Sequence, residues 1–310
     1  MKKHLLSMFD LTQKEVWEII SLAIDLKAGK KNSNHLAGKT LGMILEKPST
    51  RTTVSFSVAM YQLGGFPLIL DAKNLQRKRG ETIHDTAKVL SGYIDGLMMR
   101  ALSHKDVEEF AKYATIPIIN GLTDKEHPCQ ILGDLETVVE AKKIKTLEGL
   151  KKIKIVFVGD GNNVANSLMA AAAVVGCRFV LARPSAKYNP DKTIFDNSLA
   201  FAKTSGAGID VMTDPKEAVK DADVIYTDVW TSMGDEGQRD QRLKDFAPYQ
   251  VNKKLLSYAK PSCVVMHCLP AIRGEEITSD VMDGPQSVIF EEAENRLHIQ
   301  KAVLIKLLGK

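Results

Sequence analysis

Along this chain, short apolar runs of strand length alternate with stretches whose apolar residues recur every three or four positions. The runs that read as strands cover 41–45, 67–70, 96–99, 117–119, 153–158, 178–181, 209–212, 224–227, 264–267 and 287–290. They are apolar almost without interruption, the pattern of strands covered on both faces, as in a parallel sheet. The stretches between them carry helix-start signals. Thr12 with Glu15 spells a capping box, and Asp214-Pro215 sets an N-cap before a proline at the first helical position. This alternation predicts an α/β fold of two domains, each a parallel-rich sheet flanked by helices. The stretch 130–145 reads as a long connecting helix, and 291–308 as an amphipathic helix that returns across the boundary. The expected domains are therefore 1–140 with 291–310, and 141–290. Residues 232–248 show no strong period and are rich in Gly, Asp, Gln and Arg, which reads as a long functional loop.

Composition narrows the class without naming a chemistry. The chain has 310 residues, enough for two domains with proper cores. Its 42 Lys+Arg against 38 Asp+Glu leave a net charge of only +4, which gives no reason to invoke nucleic acid or an anionic membrane. The longest apolar run, 168–177, falls far below the ~18 residues of a spanning helix, so no membrane partner is expected. After Lys2 and Lys3 the apolar stretch 5–9 is short and ends at Asp10, unlike a secretory signal. The 4 cysteines are too sparse for a disulfide framework, and a reducing cytoplasm is the expected home.

Candidate chemistry gathers at strand ends. Lys47-Pro48-Ser49-Thr50-Arg51-Thr52 follows the first strand and opens a helix read as 53–63. Free N–H groups, three hydroxyls and a guanidinium there suit a phosphate, although Ser49 or Thr50 also serves as a simple cap. Arg100 ends the third strand, and His127-Pro128-Cys129-Gln130 follows the fourth. Ligands collect outside the carboxyl ends of such sheets, so Arg51, Arg100, His127 and Gln130 are expected to share one crevice. In the second half, Gly159-Asp160-Gly161-Asn162-Asn163 invites a dinucleotide reading, with Arg183 for a 2′-phosphate. The third glycine of that fingerprint is replaced by Val164, and the alternative is that Asn163 serves a small ligand. Asp228 through Gly234 and His267-Cys268-Leu269-Pro270 complete the set. His267 and Cys268 are adjacent rather than spaced as a zinc knuckle, so no metal is expected.

Taken in order, Ser49-Thr50-Arg51-Thr52, His127-Pro128-Cys129-Gln130, Asp228 with Ser232-Met233-Gly234, His267-Cys268-Leu269-Pro270 and Ala293-Glu294-Asn295-Arg296 resemble the aspartate/ornithine carbamoyltransferase family, on its ornithine branch. The resemblance spans essentially the whole chain. It implies transfer of a carbamoyl group from carbamoyl phosphate to the δ-amine of L-ornithine, giving citrulline and phosphate in arginine metabolism, taken as biosynthesis. It assigns carbamoyl phosphate contacts to Ser49, Thr50, Arg51, Thr52, Gln76, Arg100, His127, Pro128, Cys129, Gln130, Cys268, Leu269 and Arg296. Of these, Arg51, Arg100, His127 and Cys268 are the expected catalytic groups, and Gln76 is expected to reach a neighbouring subunit's site. Ornithine contacts fall to Asn163, Asp228, Ser232 and Met233. The resemblance further implies a homotrimer or a multiple of it, and no metal or organic cofactor. Putrescine or an N-acylated ornithine is the competing acceptor. The family pattern continues with an arginine and, four residues on, a glutamate. Here those positions are Thr53 and Ser57, which at i,i+4 spacing reads as the loss of a helix-surface pair worth about 0.2–0.5 kcal/mol.

Overall fold

Parallel pairing organises both sheets of the structure, a computed structural model that describes residues 2–29, 34–231 and 236–309. By internal contacts the chain divides into two units, Met1–Glu136 with Glu294–Lys310, and Thr137–Ala293. The first runs α1 (Gln13–Lys27), β1 (Thr40–Leu45), α2 (Thr50–Gln62), β2 (Phe66–Asp71), α3 (Ile83–Ser91), β3 (Gly96–Arg100), α4 (His104–Tyr113) and β4 (Ile118–Leu122). α5 (Pro128–Ala141) then carries the chain into the second unit. Among the described residues the first sheet has the order β2-β1-β3-β4. The predicted capping box forms: Thr12 Oγ1 accepts the Glu15 N–H at 3.3 Å, and the Glu15 carboxylate accepts the Thr12 N–H at 2.8 Å.

The second unit continues α6 (Leu147–Lys151), β5 (Lys154–Val158), α7 (Asn163–Val175), β6 (Arg178–Ala182), α8 (Lys192–Ser205), β7 (Gly208–Met212), α9 (Pro215–Val219) and β8 (Val224–Thr227). It closes with α10 (Arg239–Phe246), α11 (Lys253–Leu256), β9 (Val264–His267), α12 (Ser279–Met282) and α13 (Ile289–Leu308), which returns to the first unit. Its sheet has the order β7-β6-β5-β8-β9, again all parallel. Asp214 caps α9 ahead of Pro215, as the sequence implies. No helix among the described residues is long and apolar enough to cross a membrane.

Four expectations are corrected. Residues 287–290 are not a strand: Ser287 makes one parallel bridge to Val265, and α13 begins at Ile289. Ile289 and Glu292 are buried while Phe290 is exposed, the spacing of a helix that so short a run cannot reveal. The connecting helix ends at Ala141, not 145, because Lys143 turns left-handed (φ 53°) and the Ile144 N–H closes onto Val139 O at 2.9 Å. That is a Schellman-type closure, and without the usual glycine it leaves no sequence signal. Of the predicted loop 232–248, residues 232–235 lie outside the described residues and Arg239–Phe246 is helical. Its inward positions are Arg242 and Phe246, one turn apart, and a buried arginine hides the apolar period. Finally, β2 and β7, each at one end of its sheet, are incompletely covered, whereas the opposite end strands β4 and β9 are largely buried. On β2, Phe66 is 60% and Ile69 51% exposed.

The turn after β5 sets a steric limit. The Gly161 N–H donates to Tyr188 O at 3.1 Å, and a Cβ at Gly161 would stand 2.4 Å from Pro190 N. Backbone cannot yield there as a flexible side chain would. Gly161→Ala is expected to lower stability by about 1–3 kcal/mol, read from thermal unfolding; an unchanged midpoint would mean the turn is not seated against Pro190.

Candidate active site

A parallel sheet presents its ligand crevice where the strand order reverses, outside the carboxyl ends. In the first unit that reversal lies between β1 and β3, paired with Leu45 beside Arg100. The chain leaving β1 reaches Ser49, whose Oγ accepts the Thr52 N–H at 3.1 Å. This cap starts α2 at Thr50, three residues earlier than the apolar period implies, and puts Thr50, Arg51 and Thr52 in its first turn. The positive end of the helix dipole makes that turn attractive to an anion.

Two further elements bring buried polar groups to the same place. The β4–α5 junction supplies His127, Pro128, Cys129 and Gln130, and α13 supplies Arg296. Arg296 donates through Nη2 to Thr52 Oγ1 (3.2 Å) and through Nη1 to Gln130 Oε1 (2.5 Å). Gln130 Nε2 in turn donates to Asp134 Oδ1 at 2.7 Å, so the guanidinium is held by a buried chain of hydrogen bonds. His127 is buried beside this chain. Burial first, then the positive charges of Arg296, Arg100 and Arg51, push its pKa well below 6.5. An imidazole under three guanidinium charges stays neutral, and its N–H is then a donor to a polarised carbonyl. The structure thus brings together Arg51, Thr52, Arg100, His127, Gln130 and Arg296. Cys129 lies deeper, its thiol pushed up to about 12 by burial, and acts as packing rather than a nucleophile. Thr50 is exposed on the rim, and Gln76 stays on the surface of a short 3₁₀ turn (Gln76–Arg79). The adjacent Arg77 anchors that turn to Glu46 (3.1 Å) and Asp106 (2.8 Å).

In the second unit the order reverses between β5 and β8. Asp228 follows β8, Cys268 follows β9, and the pairing of Thr227 with His267 makes them neighbours. The Cys268 thiol donates to Asp228 Oδ1 at 3.2 Å, where the Val229 N–H also donates at 2.9 Å. Asn162 Nδ2 donates to Asp228 Oδ2 at 2.8 Å. Leu269 sits in the left-handed region (φ 59°), and its N–H donates to His267 Nδ1 at 2.9 Å. The tautomer follows: Nε2 carries the proton and donates to Glu276 Oε1 at 3.1 Å. Asp228, His267 and Cys268 bring three ligand-type atoms within 4.8 Å of one another. With both ring nitrogens of His267 engaged by the protein, that trio does not fit a metal. Asn163 opens α7, half-buried, while Ser232 and Met233 lie outside the described residues.

Comparison with known proteins decides the family. Residues 3–140 match the aspartate/ornithine carbamoyltransferase carbamoyl-P binding domain, and residues 151–307 match its Asp/Orn binding domain. The chain belongs to the aspartate/ornithine carbamoyltransferase family. Ornithine carbamoyltransferase of Methanosarcina acetivorans is 54% identical over 311 residues, covering 99% of this chain and 100% of that one. The anabolic ornithine carbamoyltransferase of Pyrococcus furiosus is 53% identical, covering 99% and 96%. The solved ornithine carbamoyltransferase from Pyrococcus furiosus superposes with a TM-score of 0.92 at 53% identity, over 98% of this chain and 96% of that one. The anabolic enzyme from Campylobacter jejuni does so at 0.92 and 39% identity, over 98% of each.

Against the carbamoyltransferase pattern, the departures at Thr53 and Ser57 do not lie on a solvent face. Thr53 is half-buried and Ser57 Oγ is buried without a hydrogen-bond partner among the described residues, so the surface-pair estimate does not apply. Sequence reasoning also passed over Asn162, whose only visible signal was that of an N-cap. The locking of the 268–272 turn by His267 and Glu276 left no signal, because those residues are nine positions apart with no periodic relation. The state of His127 is directly testable. Its depressed pKa means the unfolded chain binds the proton more readily, so this group's contribution to stability is intact above pH 6.5 and declines as pH falls below it. Imidazole NMR should show no His127 titration from pH 8 down to about 6, where an ordinary histidine would be well into protonation. A midpoint at or above 6.5 would contradict the neutral assignment.

Proposed function

We propose that this protein transfers the carbamoyl group of carbamoyl phosphate to the δ-amine of L-ornithine, releasing citrulline and phosphate in arginine biosynthesis. The observation that carries the reading is the gathering of Arg51, Arg100 and Arg296 around the buried His127, whose pKa they and burial lower. Such a group binds a dianionic phosphate through the cations while donating an uncharged hydrogen bond to the adjoining carbonyl. In this reading the first unit holds carbamoyl phosphate: Ser49, Thr50 and Thr52 line the phosphate with the first turn of α2, and Arg51 neutralises it as it leaves. Thr52, Arg100 and His127 take the developing oxyanion. Cys268 and the backbone around Leu269 serve the carbamoyl end.

The second unit holds ornithine. Asp228 and Ser232 receive its α-ammonium, and Asn163 with Met233 its α-carboxylate. The δ-amine attacks only when neutral, so a proton must leave before or during attack. Asp228, already hydrogen-bonded to Cys268, guides it, and the departing phosphate is the final acceptor. As the nitrogen–carbon bond forms, the carbonyl carbon–oxygen bond to phosphate breaks, and no covalent enzyme intermediate is required. A homotrimer, or a multiple of it, is supported by the apolar edge strand β2, where Phe66 and Ile69 are exposed, and by Gln76 at the surface nearby in sequence. The free cysteines suit a reducing, cytoplasmic setting.

Purified protein is expected to form citrulline only when both substrates are present, and to prefer ornithine over putrescine and N-acetylornithine. Arg51→Ala should lower kcat/KM by about 10²–10³, the scale of a lost transition-state charge contact. Absence of citrulline from a folded sample would falsify the assignment. Sedimentation should give a mass divisible into three-chain units, and Phe66→Glu should shift it towards monomer; a monomeric parent would remove the trimer.

A further inference from the structure

The turn 159–163 stands out by its glycines, yet the proposed function uses only Asn163 from it. Its geometry explains the remaining residues. Gly159 N–H donates to Ala182 O at 3.0 Å, and Gly161 packs directly on the Asn189-Pro190 backbone. Asp160 accepts from Arg242 Nη1 at 2.6 Å, and the same nitrogen donates to Trp230 O at 3.0 Å. The close approach that glycines give a pyrophosphate in dinucleotide-binding turns is here taken by the protein's own backbone at Gly161. What this clamped turn delivers is the side chain of Asn162.

Both ends of that amide are committed. Oδ1 accepts the N–H groups of Val164 and Ala165, each at 3.0 Å, and caps α7. Because two donors face that end, it must be the oxygen, and the NH₂ end must face Asp228 Oδ2 at 2.8 Å. We propose that Asn162 is a positioning residue for the transfer reaction: it fixes the Asp228 carboxylate in the orientation that receives ornithine. The inference rests on the ornithine reading of the second unit. The donors on Oδ1 are the Val229 N–H and the Cys268 thiol, the latter a weak donor, and Asn162 holds the other oxygen. A carboxylate torsion is broad, so a donor on the second oxygen, added to those on the first, narrows it to one orientation. The cap and the latch use opposite ends of one amide, which allows substitution to separate them.

Asn162→Ser and Asn162→Asp both keep a good N-cap acceptor. Asn162→Ser still carries an O–H donor, but its side chain is one atom shorter and cannot cap α7 and reach Asp228 together. It should raise the KM for ornithine about tenfold, the loss expected for a hydrogen bond to a charged group, without moving the KM for carbamoyl phosphate. Asn162→Asp sets a second carboxyl against Asp228, and such a pair shares a proton. While protonated, the introduced carboxyl donates to Asp228 as the amide did; once ionised, it repels it. The ratio of the variant's kcat/KM for ornithine to the parent's should therefore fall as pH rises. If the parent forms no citrulline, the functional reading fails and this inference falls with it. If the parent is active and both variants keep its ornithine KM and pH profile, Asn162 is a helix cap only. An equal rise in both KM values would mark general damage and equally overturn the role.

Discussion

The chemistry of this chain depends on one property of parallel sheets. Every strand runs the same way, so every carboxyl end opens on the same edge, and where strand order reverses the connections leave in opposite directions and part. In the first unit the parting falls between β1 and β3, and in the second between β5 and β8. Arg100 beside Leu45, and Asp228 beside Cys268, are consequences of strand register before they are consequences of side-chain chemistry. Helix caps complete the placement: Ser49 starts α2 early enough to carry Arg51 and Thr52 in its first turn, and Asn162 starts α7.

Electrostatics in the first unit then follows from burial. Three arginines around one imidazole would repel a fourth charge, and a buried ring has lost the water that would stabilise its charged form, so both effects keep His127 neutral. Arg296 donates to two neutral acceptors, Thr52 Oγ1 and Gln130 Oε1. Neutral acceptors orient a guanidinium without cancelling its charge. The second unit reverses the sign: Asp228 is surrounded by donors from a thiol, an amide and a backbone N–H, none of which neutralises it. The first unit gathers guanidinium groups at its strand ends and the second a carboxylate, in a chain whose net charge is only +4 over 310 residues.

The elements with repeated, unambiguous periods were legible in the sequence. Val224–Thr227 and Val264–His267 form as read, and the caps at Thr12 and Asp214 form with the residues named for them. The misses share a cause. At 287–290, at the end of α5 and in α10, the deciding contact is made by a residue whose type does not advertise it: a buried glutamate, a lysine in the left-handed region, a buried arginine. The exposed apolar residues of β2 are the same failure reversed, since apolarity is a property of the run and coverage is a property of what packs on the strand.

Sequence alone determined the α/β class, most strand positions and the residue types available at each strand end, because local periodicity and capping act over only a few residues. It also carried the motifs that resemble the carbamoyltransferases. Tertiary structure decided what those residues do to one another. The His127 pKa falls well below the ordinary 6.5 only when burial and three arginines, far apart along the chain, converge on it. Asn162 becomes more than a cap only when β5 and β8 lie side by side and bring Asp228 to its free end. Distances of that kind are set by strand order, and strand order is written in no local stretch of the chain.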